Sequence, residues 1–180
     1  MPYPTPAEYA CAFFDEAVRH LTDAHLLHVD ARYAACVQSC THASEKAVKA
    51  QVFLRGGWYW TDKLKTTHEP LMKLLRNEPL LRPIYETIRS AMPPLESDIK
   101  LLEEYTPSKE RENCEYPYLA AVVHRPGSDD VTDVTLKRPE LEFSEAKSLA
   151  AYCASYRVVR FVQDHNAEFQ NPPRPLPPAI

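Results

Sequence analysis

Thr5-Pro6-Ala7-Glu8, followed by Ala10, Phe14, Ala17, Leu21 and Ala24, is the stretch that decides the fold. The Thr5 hydroxyl can accept from an orphan amide of a first helical turn, and Pro6 takes the position where a missing N–H costs nothing. Glu8 stands where its carboxylate reaches back to the cap. The apolar residues then recur in steps of four and three, a stripe on one face of a helix that runs to about His28. A second helical pattern begins near Asp30 and carries Tyr33, Val37, Cys40, Ala47, Ala50 and Leu54 before Arg55-Gly56-Gly57 ends it. So short a break between two long helices predicts an antiparallel pair.

Outward from this pair the chain stays helical in short pieces. Trp58-Tyr59-Trp60 could stack on a base, but packing over the open end of a helix bundle is the favoured reading. Thr66 or Thr67 caps a short helix with Leu71, Leu74 and Leu75, in which Pro70 is tolerated because it lies in the first turn. Prolines 79, 83, 93 and 94 divide the next stretch into helices over roughly 79–91 and 95–105, the latter carrying Leu95, Ile99 and Leu102. From Thr106 to Glu142 the helical period is lost. There Ala120–Val123 and Val131–Leu136 flank the turn-rich Arg125–Asp130, which predicts a small hairpin or an irregular excursion. Ser144 caps a last helix whose face is read as Leu149, Tyr152, Cys153, Tyr156, Val159 and Val162. The segment Asn171–Pro178 is of polyproline type, either a ligand for a PxxP-reading domain or a frayed tail.

Composition narrows the functional classes. With three glycines in 180 residues, neither a dinucleotide-binding GxGxxG loop nor a P-loop is present, and no cofactor is expected. No apolar run reaches the length of a membrane span, so no membrane is expected as a partner. A net charge of −4 argues against a wholesale electrostatic binder of nucleic acid. The charge is uneven, however: between Thr41 and Asn77 seven basic residues face three acidic ones. Such a stretch is an anion-binding face or a solvated helix surface. Five cysteines, an odd number, follow a short polar N-terminal segment, which points to a reducing, cytoplasmic setting. Cys36 and Cys40 share a helix face near His20, His25, His28 and His42, yet no CxxC or HExxH pattern is present. Core cysteines are the plainer reading, and no metal is expected.

The order of these pieces resembles the HEPN family of helical domains found beside minimal nucleotidyltransferases and in prokaryotic defence systems. Arg32-Tyr33-Ala34-Ala35, with Ser39–Ala50 containing Glu45-Lys46-Ala47-Val48-Lys49-Ala50, is similar to the family's second helix. Thr67-His68-Glu69-Pro70-Leu71 resembles its Thr-His-x-Leu helix start. Tyr105-Thr106-Pro107-Ser108 and Tyr116-Pro117 resemble its Tyr-x-Pro-Thr/Ser-Arg-Tyr-Pro segment, and Phe143–Val162 fits its closing helix. Two departures stand out. Residues 109–115 are inserted before Tyr-Pro with Glu115 where the family has arginine, leaving Arg111 as the nearest substitute. The arginine followed four to six residues later by histidine, which HEPN ribonucleases carry at the start of a late helix, is absent between Tyr105 and Glu142. Arg160 and His165 have the spacing but lie near the end of the last helix, and Arg19 with His25 lies in the first.

The resemblance and the pattern together predict an all-α, four- or five-helix up-down bundle over residues 5–170, with a long irregular insertion before the last helix and a Pro-rich flexible tail over 171–180. One interior is expected to hold Phe14, Ala17, Leu21, Val37, Ala47, Leu54, Leu71, Leu74, Leu102, Leu149, Cys153 and Tyr156. What the resemblance implies for function is a homodimer that binds nucleotide or RNA and partners a small nucleotidyltransferase in a toxin–antitoxin or defence pair. The alternatives are a metal-independent endoribonuclease and a non-catalytic scaffold. Lys46, Lys49 and Arg111 are the candidate phosphate contacts, and Arg160 and His165 the candidate catalytic pair. RNA cleavage without a metal needs a base near neutral pKa for the 2′-hydroxyl and a fixed cation for the phosphorane, which histidine and arginine supply.

Overall fold

The computed structural model describes residues 4–56, 82–83, 86, 90, 93–105, 118–123, 131–138 and 142–180. Helix α1 is Pro6–Val29 and begins with the capping box. The Glu8 amide donates to the Thr5 hydroxyl at 3.2 Å, and the Thr5 amide donates to the Glu8 carboxylate at 2.7 Å. Those bonds from Thr5 hold the Glu8 carboxyl below the usual carboxylate range. Its buried residues are Ala10, Phe14, Ala17, Leu21 and Ala24, the stripe read from the sequence. The helix is closed by a Schellman motif, in which Ala31 N–H donates to His28 O at 3.0 Å and Arg32 N–H to Leu27 O at 2.8 Å. Ala31 therefore sits at φ 58°, a conformation that costs a residue with a Cβ about 1–2 kcal/mol.

That turn folds helix α2, Tyr33–Gly56, back along α1. The two helices form the antiparallel pair. In its second half α2 is buried on nearly every side, from Ala43 through Val48 and Ala50 to Phe53. The narrow stripe read from the sequence becomes an almost enclosed helix because its side chains there are mostly small and both α1 and the last long helix pack on it. Tyr9 and Phe13 of α1 meet Phe53 with ring centroids 5.1 and 4.9 Å away.

Helix α3, Pro93–Glu104, buries the predicted Leu95, Ile99 and Leu102. Strands β1, Tyr118–Val123, and β2, Val131–Lys137, pair antiparallel with an irregularity at Val122/Val123, so the hairpin is the form the excursion takes. Helix α4, Glu145–Asp164, is capped by Ser144, whose hydroxyl accepts from Lys147 N–H at 3.3 Å. Its buried residues are Ser148, Ala151, Tyr152, Ala154, Ser155, Val158, Val159, Phe161 and Val162. This corrects the predicted interior: Leu149, Cys153 and Tyr156 are only half-buried, as is Leu54 on α2. The serines take the central positions because their hydroxyls are satisfied inside. Ser44 Oγ donates to Ser155 Oγ, and Ser155 Oγ to the Cys40 carbonyl, both at 3.0 Å.

Arg157 on α4 clamps α3 by two bonds of 2.7 Å to the Asp98 carboxylate. The short helix α5, Ala167–Gln170, is fixed by Phe169, which stacks on Phe14 at 4.5 Å and 9°. The Pro-rich tail beyond it keeps an extended path and lies along the bundle, with Leu176 packed against the core. The chain is thus an all-α bundle with a small hairpin in the connection before α4. No described helix is long and apolar enough to cross a membrane. Of the predicted 79–91 helix, residues 82, 83, 86 and 90 are described and helical. The aromatic run 58–60, the helix with Leu71 and Leu74, and Arg111 lie outside the described residues.

Candidate functional site

The α1–α2 turn brings Arg32, His28 and the amino end of α2 to one pole of the bundle. Arg32 ends the Schellman motif of α1 and also begins α2, since its carbonyl accepts from Cys36 N–H at 2.9 Å. An arginine at this cap position has no side-chain acceptor, and the first turn of α2 holds no acidic residue. The amino end of a 24-residue helix therefore carries its open N–H groups and partial positive charge at an exposed arginine. One turn back, His28 Nδ1 lies 2.9 Å from Ser148 Oγ, and its ring is 6.0 Å from that of Tyr33. Ser148 stands in the opening turns of α4, so the amino ends of α2 and α4 converge on this histidine. Asp30, the C-cap of α1, and Glu145, in the first turn of α4, are the acidic residues of those same turns.

The residues singled out in the sequence are placed elsewhere. Lys49 is buried and paired with Glu45, so its charge is already neutralised inside the bundle. Lys46 lies over the Phe13 ring at 4.9 Å, on the seam between α1 and α2. Comparison with family models, with curated proteins and with solved structures gives no match. Arg160 is paired with Asp164 at 2.8 Å, an exposed pair on the same helix. His165 is the C-cap of α4, and its Nδ1 is 2.8 Å from the Phe161 carbonyl, with its ring against that of Phe161 at 4.0 Å. Five helical positions separate Arg160 from His165, which turns them to different faces. Arg19 is bonded to Glu16 at 2.5 Å, and His25 Nδ1 is buried without a partner among the described residues.

Cys36 and Cys40 have their sulfurs 4.0 Å apart in the interior. The hydrogen bond from Cys40, against the opposing effect of burial and helped by Ser148, draws the Cys36 thiol below its ordinary pKa. His20 and His42 meet edge to face at 5.3 Å. Among the described residues no three His, Cys, Asp or Glu side chains are grouped to hold a metal ion.

Sequence reasoning passed over His28, Arg32 and Ser148 as site residues. Arg32 was legible as part of the Tyr-Ala-Ala element, but a side chain without an acceptor at a helix cap is a signal only once the helix boundary is known. The meeting of His28 with Ser148 spans 120 positions and leaves no trace in local pattern.

Proposed function

We propose that this protein is a HEPN-like helical partner of a small nucleotidyltransferase and that it binds a nucleotide or RNA phosphate at the pole formed by His28, Arg32 and the amino end of α2. The observation that carries this reading is Arg32 at the head of α2, an exposed residue whose side chain offers no acceptor to the first amides of a helix with no acidic residue in its first turn. Such an arrangement suits phosphate oxygens, since the guanidinium gives a two-pronged contact and the helix end supplies further donors. The ordered sequence elements that resemble the family, and the all-α bundle formed by the described helices, support the same assignment. Self-association as a homodimer belongs to this reading. An endoribonuclease reading has less to act through within one chain, because Arg160 and His165 are each bound to groups of their own helix.

The test is binding of fluorescently labelled single-stranded RNA and of ATP, followed by anisotropy over a salt series. Binding should weaken as salt rises, and Arg32→Ala should weaken it about tenfold at constant fold, the value of one charge-assisted phosphate contact. Equal affinity in a correctly folded Arg32→Ala/His28→Ala chain would remove the pole from consideration. Co-purification with a co-expressed small nucleotidyltransferase tests the partner, and sedimentation at micromolar concentration tests the dimer.

A further inference from the structure

The carboxy-terminal stretch is held by the bundle in the manner of a recognised peptide. Every residue from Asn171 to Pro177 either is proline or precedes one, so the backbone is confined to extended, polyproline-like conformations before it touches the bundle. Little conformational entropy is therefore lost on docking. The bundle reads this segment at alternating points. Gln163 Nε2 donates to the Arg174 carbonyl at 2.7 Å, and Tyr152 Oη donates to the Pro178 carbonyl at 2.6 Å. Burial pushes the Tyr152 phenol well above its usual range, so it remains a donor. Between those points Leu176 packs against the core.

Charge completes the recognition. The Arg174 guanidinium is paired with the Asp15 carboxylate of α1 and donates to the carbonyls of Glu168 and Pro172 at 3.2 Å. Its side chain is 12% exposed although it belongs to the tail, whereas Asp15 is 59% exposed and so stands ready at the surface. The fit is not that of a sealed core. A cavity of about 350 Å³ remains between α4 and the tail, lined by Tyr156, Arg160 and Gln163 on one side and Pro173 and Pro175 on the other. The last anchors before the tail are Phe169 and Gln170, whose Nε2 donates to the Gln163 and Asp164 carbonyls at 3.2 and 3.0 Å, and residues 171–173 that join them to Arg174 are all exposed.

We propose that the face formed by α1, α4 and α5 is a binding groove for an arginine-bearing polyproline segment, that residues 174–178 fill it in cis, and that the same groove receives this segment from a second copy of the chain. A short exposed connection ahead of a preorganised, specifically bound segment is what tail exchange requires, since the contacts made in trans are the same ones made in cis. The cis arrangement prevails at low concentration because the tethered tail is present at an effective concentration on the order of millimolar. This inference does not rest on the phosphate pole.

Two full-length charge-reversed chains test it. Asp15→Arg leaves a chain whose own Arg174 meets a like charge, and Arg174→Glu leaves one whose own tail meets Asp15. Each alone has an unseated tail, but together they restore both opposite-charge pairs across two copies. Mixing donor-labelled Asp15→Arg with acceptor-labelled Arg174→Glu should give energy transfer at least tenfold above that between two labelled wild-type samples. A synthetic peptide of residues 171–180 should bind the Arg174→Glu chain at least tenfold more tightly than it binds the wild type, whose groove is filled. The Asp15→Arg chain should instead prefer the peptide carrying Arg174→Asp. If both chains are folded by circular dichroism and no transfer above the wild-type level appears on mixing, exchange is overturned. If both chains bind the two peptides equally or not at all, the groove itself is overturned.

Discussion

Replacing Arg157 by alanine tests how α3 is tied to the bundle. The guanidinium spans two helices and meets Asp98 by two bonds of 2.7 Å, with the carboxylate side chain 9% exposed and the guanidinium side chain 49% exposed. The bond to Asp98 also raises the Arg157 pKa. A hydrogen bond to a charged group contributes about 1.5–3 kcal/mol in shielded surroundings, and solvent screening on the exposed side of this pair removes a good part of it. Arg157→Ala should cost about 2 kcal/mol, because the enclosed carboxylate is left without its counter-charge. In a double-mutant cycle with Asp98→Ala the coupling should be about 1–2 kcal/mol. Urea unfolding of the four chains measures it directly, and heating should show about 2–4 °C of midpoint shift per kcal/mol for a chain of this size. A coupling below about 0.3 kcal/mol, within ordinary additivity, would show that the clamp does not hold α3 and that Leu95, Ile99 and Leu102 suffice.

Packing and titration give three further outcomes. Leu21→Ala, at a position with no exposure, should cost about 2–5 kcal/mol, while the half-buried Leu149→Ala should cost clearly less; equal losses in urea would contradict the phase assigned to α4. Ala31→Gly should stabilise the chain by about 0.5–1 kcal/mol through relief of the left-handed turn, and a destabilised variant would mean that the turn is not strained. Burial, followed by the nearby Arg19 and His42, holds the His20 pKa below that of a free imidazole. The unfolded chain then takes up this proton more readily, so stability is full above about pH 6.5 and falls as pH drops below it. His20→Gln should flatten that fall in unfolding midpoints measured between pH 5 and pH 7.5, and an unchanged slope would place its origin elsewhere.

What could be read from the sequence depended on whether the deciding physics was local. The start and buried stripe of α1 were legible because a cap, a proline and five apolar residues all lie within twenty positions. The phase of α4 was missed by about one residue, since Ser148 and Ser155 read as polar while the partners that make them fit the interior lie on α1 and α2. Lys49 reads from the sequence as a phosphate contact or a solvated cation until α2 is seen to be enclosed on nearly all sides, where Glu45 becomes its necessary partner. The end of α1 was placed to within a residue without a glycine, and the strain falls on Ala31. The groove that holds the tail was not legible at all. Asp15 and Arg174 are 159 positions apart, and only the folded bundle gives them a reason to meet.

The two serines between α2 and α4 act as an indexing pin. Valine and alanine positions recurring along α4 offer nearly the same apolar surface at successive turns, so hydrophobic contact alone distinguishes poorly between the observed seating and one displaced by a turn, about 5.4 Å along the axis. The chain of donors from Ser44 to Ser155 to the Cys40 carbonyl closes at a single axial position. A Ser44→Ala/Ser155→Ala chain should then keep much of its melting temperature, since both partners are removed together, and yet lose the fixed setting of α4. Because the same helix carries Ser148 towards His28 at one end and Gln163 towards the tail at the other, a slip of α4 would misalign both ends of the molecule at once.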